Sequence, residues 1–528
     1  MLLNTITMKR NNIYILLGVL LVCVSCGKKF TERPSLDATT LSNYYNTADE
    51  VRGLTSTLYG LPWSGYENRA MDAIGDVMAG NEYSGGNDDP PFVNFSIAST
   101  SARVADAWKV FYKIGGWTSE YMKALVLKKA MGGNAKFIDP AIAECHFFRG
   151  VVYFYIGRIW GDAPIITDPG KVALSGNFNI PRYFQKDVLR FALEELKLAE
   201  EGLPETDPQP GRLIKHSARG MMAKLYLYNK DYENAKKYAQ EVISSNVYDL
   251  VSDYAGMFNS SSFNNNKESL FSIQHQLTSN PWGSANQKNP DRGPSNLQTD
   301  EASMWQLYLP SMDILKAYEF GDLRRKGSVM EHGWSKPEWK PKTANAAYNA
   351  FMANGYKYDT IQKDGDGGIL NSTRSNIAKY VVGPGKAYGG EQVLGMNTGI
   401  NTMMLRFADI LLIYAEAVIG TGNATTDAAA LQAYNRVRTR AGLNTKTTIT
   451  KDDILQERRV EFAFEGDYWF DIQRQGYDKA KLIIEAQNRG TADSPSKVTF
   501  DKKYMFLPVP AGEILQDPEL AKDPVSYY

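Results

Sequence analysis

Apolar residues recur every three or four positions through two long stretches of this chain and lose that rhythm between them. Ala218, Met221, Met222, Leu225 and Tyr228 form one stripe, and Tyr232, Ala235, Ala239, Val242 and Ile243 form a second. The polar turn Asn229-Lys230-Asp231 separates them. This spacing predicts two antiparallel helices, and small residues at their crossing make the pair a tetratricopeptide-like hairpin. Helices are also predicted over 41–59, 102–129, 140–157 and 186–201, the last stopped by Gly202-Leu203-Pro204. Near the C-terminus, Leu405, Ala408, Leu412, Ala415 and Ile419 make one helical face, and Ala430, Tyr434, Val437 and Ala441 a second, ended by Gly442. A third helix is expected to begin at Asp452-Asp453, acids suited to a helix start, and to run through Arg458, Phe462 and Glu465.

Between these stretches, residues 246–400 are dense in Asn, Ser, Gly and Pro, as in Asn264-Asn265-Asn266 and Asp291-Arg292-Gly293-Pro294. Trp282, Trp305, Trp334 and Trp339 lie among them as anchors. A long irregular segment with such anchors reads as ordered, functional loops on a rigid frame. The predicted fold is mostly α: a tetratricopeptide-like helical scaffold with a large loop-rich insert.

Composition narrows the function. Lys+Arg and Asp+Glu both total 59, so no net charge draws the 528-residue chain to nucleic acid. Only three cysteines exist. Cys145, inside an apolar helical run, reads as a small core residue. The N-terminus carries Lys9-Arg10, an apolar run from Ile13 to Val24, and then Ser25-Cys26-Gly27. That is a secretory signal, too short for a spanning helix, with Cys26 placed as the acylated first residue of a lipoprotein. Met8 begins a better-formed signal than Met1. Residues 1–25 are thus expected to be a lipoprotein signal peptide and 26–40 a lipidated tether.

Catalytic signatures are missing: no H-E-x-x-H, G-x-S-x-G, phosphate loop or dinucleotide fingerprint occurs. His146, His216, His275 and His332 lack metal-ligand spacing, and Asp364-Gly365-Asp366-Gly367-Gly368 lacks the closing acid of a calcium loop. No catalytic residue, metal or cofactor is assigned. Glu457, Glu461 and Glu465 share one helix face with Arg458 nearby, which suits a structural ion-pair network better than a glycosidase pair flanking a bond. Aromatic residues make up 12% of the chain. Trp63, Tyr66, Tyr83, Trp282 and Trp305 sit outside clear stripes, and flat rings of this kind stack on the C–H faces of sugars. Asn81, Asn286 and Arg292 are candidates to bond the hydroxyls.

Ordered motifs add a resemblance. They include Phe30-Thr31-Glu32-Arg33-Pro34, the run from Arg149-Gly150 to Arg158-Ile159-Trp160-Gly161-Asp162-Ala163-Pro164, and the hairpin above. Arg406-Phe407-Ala408-Asp409, Asn435-Arg436-Val437-Arg438, Glu457-Arg458-Arg459 and Leu507-Pro508-Val509-Pro510 follow. Together they resemble the SusD/RagB family of outer-membrane glycan-binding lipoproteins. Asp517 and Asp523 depart from its usual Asn-Pro, and Cys23 from the Leu of the usual lipid-attachment motif.

The resemblance implies a lipid-anchored binding protein, not an enzyme. It would face the cell surface and pass oligo- or polysaccharide to a SusC-like TonB-dependent transporter. Residues 41–245 and 401–528 would form the helical frame, and 246–400 the ligand region. Carried over by position, ligand residues would be Trp63, Tyr66, Asn81, Tyr83, Trp282 and Trp305, with Arg292 beside them. A protein-binding helical scaffold, and an all-helical surface glycosidase using Glu457 or Glu461, are the competing readings.

Overall fold

The computed structural model describes residues 40–528 except 42, 87, 279–282, 342–349, 351 and 360–370. The signal peptide, Cys26, Trp282 and the Asp364–Gly368 turn therefore lie outside the described residues.

Thr47 starts the first helix, α1 (Ala48–Ser56), through a capping box with Glu50. Those reciprocal bonds satisfy the first free N–H groups, so the helix begins later than the expected residue 41. A two-residue strand, β1 (Glu82–Tyr83), precedes two long helices, α2 (Ala102–Ala130) and α3 (Ala135–Ile159). Pro140 lies inside α3, and Asn134 caps its start by accepting from the Lys136 N–H at 3.0 Å. An interior proline loses its N–H from the ladder and crowds the carbonyl four residues back, and the long buried face of α3 offsets that cost. Then follow α4 (Gln185–Gly202), α5 (Lys215–Tyr228) and α6 (Tyr232–Ser244). Ala218, Ala235 and Ala239 are fully buried where α5 crosses α6, and the Tyr226 and Tyr238 rings stack there at 5.6 Å.

After α6 the chain leaves the helical array and returns through an antiparallel pair, β2 (Ser269–Ile273) with β4 (Thr402–Arg406). A further short strand, β3 (Leu309–Pro310), lies between them in sequence and pairs with β1. Helices α7 (Phe407–Ile419), α8 (Ala428–Arg440) and α9 (Lys451–Glu461) complete the frame. Helix α7 packs directly on α6, and both α8 and α9 pack on α7. The insert thus interrupts an otherwise continuous helical array, and the β2–β4 pair closes its neck. The fold is mostly α and tetratricopeptide-like, as the periodicity predicts. One buried cluster joins α2 to α9 and reaches Leu520, whereas the insert has small clusters of its own, around Trp339 and Tyr356 and around Phe258 and Tyr380.

Two sequence expectations move. Leu405 belongs to β4, not to the following helix. Helix α9 ends at Glu461, because Phe464 and Gly466 adopt positive φ (67° and 79°) and turn the chain back. That turn delivers Glu465 to Arg406 (2.8 Å) and Lys379 (2.7 Å). Arg406 also donates to Glu268 at 2.7 Å, so the ion-pair network ties the neck of the insert to α9. Cys145 is wholly buried without a disulfide, and its surroundings push the thiol well up.

Candidate functional site: an aromatic ledge at the edge of the insert

Side chains alternate along a strand, and β1 uses both faces. Glu82 points inward, where its carboxylate accepts from Arg292 at 2.9 Å. Tyr83 is therefore left half-buried at the surface, opposite Leu309 of β3. Gly85 lies close against its hydroxyl: a Cβ there would come within 3.1 Å of the Tyr83 oxygen. The β1–β3 pair thereby fixes the segment that carries Trp305. The Trp305 backbone N–H donates to the Pro290 carbonyl at 2.7 Å, and the Leu307 backbone N–H to that of Asp291 at 2.7 Å.

Arg69 completes this edge. It is 222 residues from Asp291 in sequence and holds that carboxylate through two bonds, Nε at 3.2 Å and Nη2 at 3.0 Å. Its guanidinium lies 5.4 Å from the Trp305 ring centroid, within cation–π range. Arg69 takes a positive φ of 75°, uncommon for a side-chain residue. Burial pushes the Asp291 carboxyl up to about 6, against the pull of Arg69. Half-buried Tyr83, paired with Leu309, and half-buried Trp305, four residues before that partner and under a fixed guanidinium, make up the candidate ledge. An apolar platform with a few fixed polar groups suits a sugar.

Other expected site residues are interior, and their assignment to ligand binding is corrected. Trp63 is fully buried against Phe111, Phe148 and Phe271, with its N–H spent on the Leu58 carbonyl at 2.8 Å. Tyr66 is equally buried, its ring 4.7 Å from Phe111. Asn81 spans Asp76 and Arg459, at 3.0 Å each, in the interior. Arg292 is locked between Asp72 (2.8 Å) and Glu82 (2.9 Å). Asn286 donates to the Ile400 carbonyl and the Thr402 hydroxyl, at 3.0 Å each. All five side chains are fully buried, which sets them apart from a surface platform.

A sequence signal did exist for the first two. Trp63, Tyr66, Ala70, Ile74 and Val77 repeat at helical spacing, and all five are fully buried. The Arg69 break in the helix hides that stripe from simple inspection. No local signal marks Arg69 or Asp291 themselves, because their partnership is purely long-range.

The acidic face of α9 is structural. Glu461 is fully buried and accepts from Arg324 (2.9 Å), Arg406 (2.5 Å) and Arg440. Burial alone would raise its carboxyl, but Arg440, Arg406 and Arg324 hold it well below the ordinary range. Glu457 is bonded to Arg324 (2.6 Å) and Arg438 (3.0 Å). A glycosidase acid must carry a proton near neutrality, and Glu461 holds none. Among the described residues no group of three or more His, Cys, Asp or Glu is placed to hold a metal. Also among them, no helix is long and apolar enough to cross a membrane.

Comparison with known proteins follows the same lines. A model of the SusD family matches residues 240–527. A SusD-like protein of Bacteroides ovatus is 28% identical, over 98% of this chain and 98% of its own. SusD-like protein P2 of Formosa agariphila is 24% identical, over 82% of this chain and 83% of its own. A structure solved with a xylogluco-oligosaccharide superposes with a TM-score of 0.77 at 28% identity, covering 90% of this chain and 99% of that one. A SusD-like protein of Bacteroides fragilis shares the fold alone, with a TM-score of 0.71 at 20% identity over 94% and 100% of the two chains.

Proposed function

Since the chain belongs to the SusD family, we propose that it binds oligosaccharide on the Tyr83–Trp305 ledge. In this reading it is a lipid-anchored protein of the outer membrane, held through Cys26, and hands its glycan to a SusC-like TonB-dependent transporter. The observation that supports the reading is a pair of half-buried rings far apart in sequence: Tyr83, whose strand partner is Leu309, and Trp305, four residues before that partner and under the Arg69 guanidinium. The relative solved with a xylogluco-oligosaccharide supports a neutral β-linked glucan backbone as the first ligand to try. Trp282 is kept in the proposal on its position in the sequence alone.

Binding without cleavage is the expected chemistry, since the buried carboxylates of α9 are committed to arginines. Titration calorimetry with xylogluco-oligosaccharides, beside a panel of other neutral glycans, tests the ledge. Binding in the wild type that is lost in Tyr83→Ala/Trp305→Ala supports it, and undiminished binding in that double variant overturns the site. Release of reducing ends from any glycan in the panel would overturn the non-enzymatic reading. Co-purification with a TonB-dependent barrel from the native membrane tests the partner, and labelling of Cys26 with a fatty-acid analogue tests the anchor.

A further inference from the structure

A second hollow of about 640 Å³ opens in the insert and shares no residue with the ledge. One wall is Ala255 and Asn259; the other runs through Leu323 to Gly327, Val329 and Glu331 to Lys336. Its volume is that of a small-ligand site. Two features set it apart from a chance surface dent.

The first is a locked aromatic wall. Trp334 is half-buried, its N–H donates to the Lys326 carbonyl at 2.9 Å, and its ring packs on Trp339 (5.6 Å) and Tyr356 (6.2 Å). The second is charge. Arg325, Lys326 and Lys336 line the hollow against one carboxylate, Glu331, which two short bonds from Arg325 (2.7 and 2.8 Å) already neutralise. Lys326 is exposed and has no carboxylate partner among the described residues, and Lys336 has only a 3.6 Å approach to Glu338. The Lys326 ammonium therefore remains for a ligand, with Lys336 only loosely paired beside it, next to a ring that is already held in place. Little ordering cost is left for binding to meet at the ring. His332, at the rim, is engaged with Asp359 at 2.8 Å.

We infer that this hollow is a second binding site, for an anionic sugar residue whose pyranose ring stacks on Trp334 while Lys326 and Lys336 hold its carboxylate. The demand for an anion stands on the hollow alone. That the anion is a hexuronate within a glycan rests on the function proposed above.

The test uses the Tyr83→Ala/Trp305→Ala chain, which silences the ledge. Its probes are a glucuronic-acid-bearing xylo-oligosaccharide and the same oligosaccharide with its carboxyl group reduced. We expect the uronate to bind at least about tenfold more tightly than the reduced form, as charge-assisted bonds to a carboxylate imply. Lys326→Ala/Lys336→Ala in the same background should erase that difference. Both substitutions remove half-exposed or exposed side chains, and an unchanged melting temperature verifies the fold. Raising the ionic strength toward 1 M, where screening falls to about 3 Å, should shrink the preference. Equal binding of the two probes, or a preference that survives loss of both lysines, overturns the site. Failure of neutral glycans to bind the wild-type chain would instead fault the ledge and leave this result standing.

Discussion

Trp63 lies wholly inside the helical frame against three phenylalanine rings, while Trp305 lies half-buried at the rim of the insert under an arginine. Both indoles sit near glycine, proline or serine in sequence, and both look like ligand platforms there. The frame absorbs its aromatics because its helices present continuous apolar stripes that pack on one another. The insert leaves some of its rings at the edge, because it is largely irregular and its own apolar clusters are small. Similar chemistry therefore yields stability in one region and, in the function proposed, recognition in the other.

Trp63→Ala breaks this comparison most severely. Removing a fully buried ring should cost about 3–5 kcal/mol of unfolding free energy, read as a large drop in denaturant midpoint. If the variant keeps wild-type stability and loses only glycan affinity, the division between frame and ledge is wrong.

Glu461→Gln comes next. It leaves Arg324, Arg406 and Arg440 partly unpaired in the interior, and breaking such a network costs about 3 kcal/mol. Because the Glu461 carboxyl is held well below its ordinary value, its stabilising charge persists at neutral and mildly acidic pH. It is lost only as pH falls through that depressed value. Wild-type stability should therefore exceed that of the variant throughout pH 5–8; a crossing inside that window would contradict the network.

Trp305→Ala should weaken oligosaccharide binding by about 2 kcal/mol, as for a central aromatic anchor, while shifting the melting temperature far less than Trp63→Ala. Calorimetry and thermal melting on the same two variants read both sides of the comparison.

The smallest expected effect is on pH. With its carboxyl raised from 3.8 to about 6, Asp291 takes up a proton as pH falls through about 6 and loosens its hold on Arg69. Glycan affinity should fall a few-fold across that step, and Asp291→Asn should flatten the profile at the weaker level. The sign on stability is opposite. Between 3.8 and about 6 the native state keeps a proton that the unfolded chain has lost. Lowering the pH through this window therefore favours the native state at this one group. A flat affinity profile in the wild type would mean that Arg69 needs no help from Asp291.

Much of the fold was legible because helical periodicity is a local property. The hairpin of α5 and α6, the limits of α2 to within a residue and the irregular insert all match the pattern of apolar and polar positions. Expectations failed at helix ends, where a cap or a turn outweighed the apolar rhythm. The Thr47 capping box shortened α1, and the turn at Phe464 sent Glu465 to Arg406 rather than along α9. The candidate site was half legible. Tyr83 and Trp305 are half-buried and open to the proposed role, whereas Trp63, Tyr66, Asn81, Asn286 and Arg292 are interior.

By itself, then, the sequence determined a helical frame with an interrupting insert, an uncharged whole and an abundance of rings, since spacing and composition act over a few residues at a time. Which rings face water was decided only by tertiary structure. Exposure depends on what packs against a side chain from far along the chain: α2 and α3 over Trp63, β3 beside Tyr83, and Arg69 above Trp305.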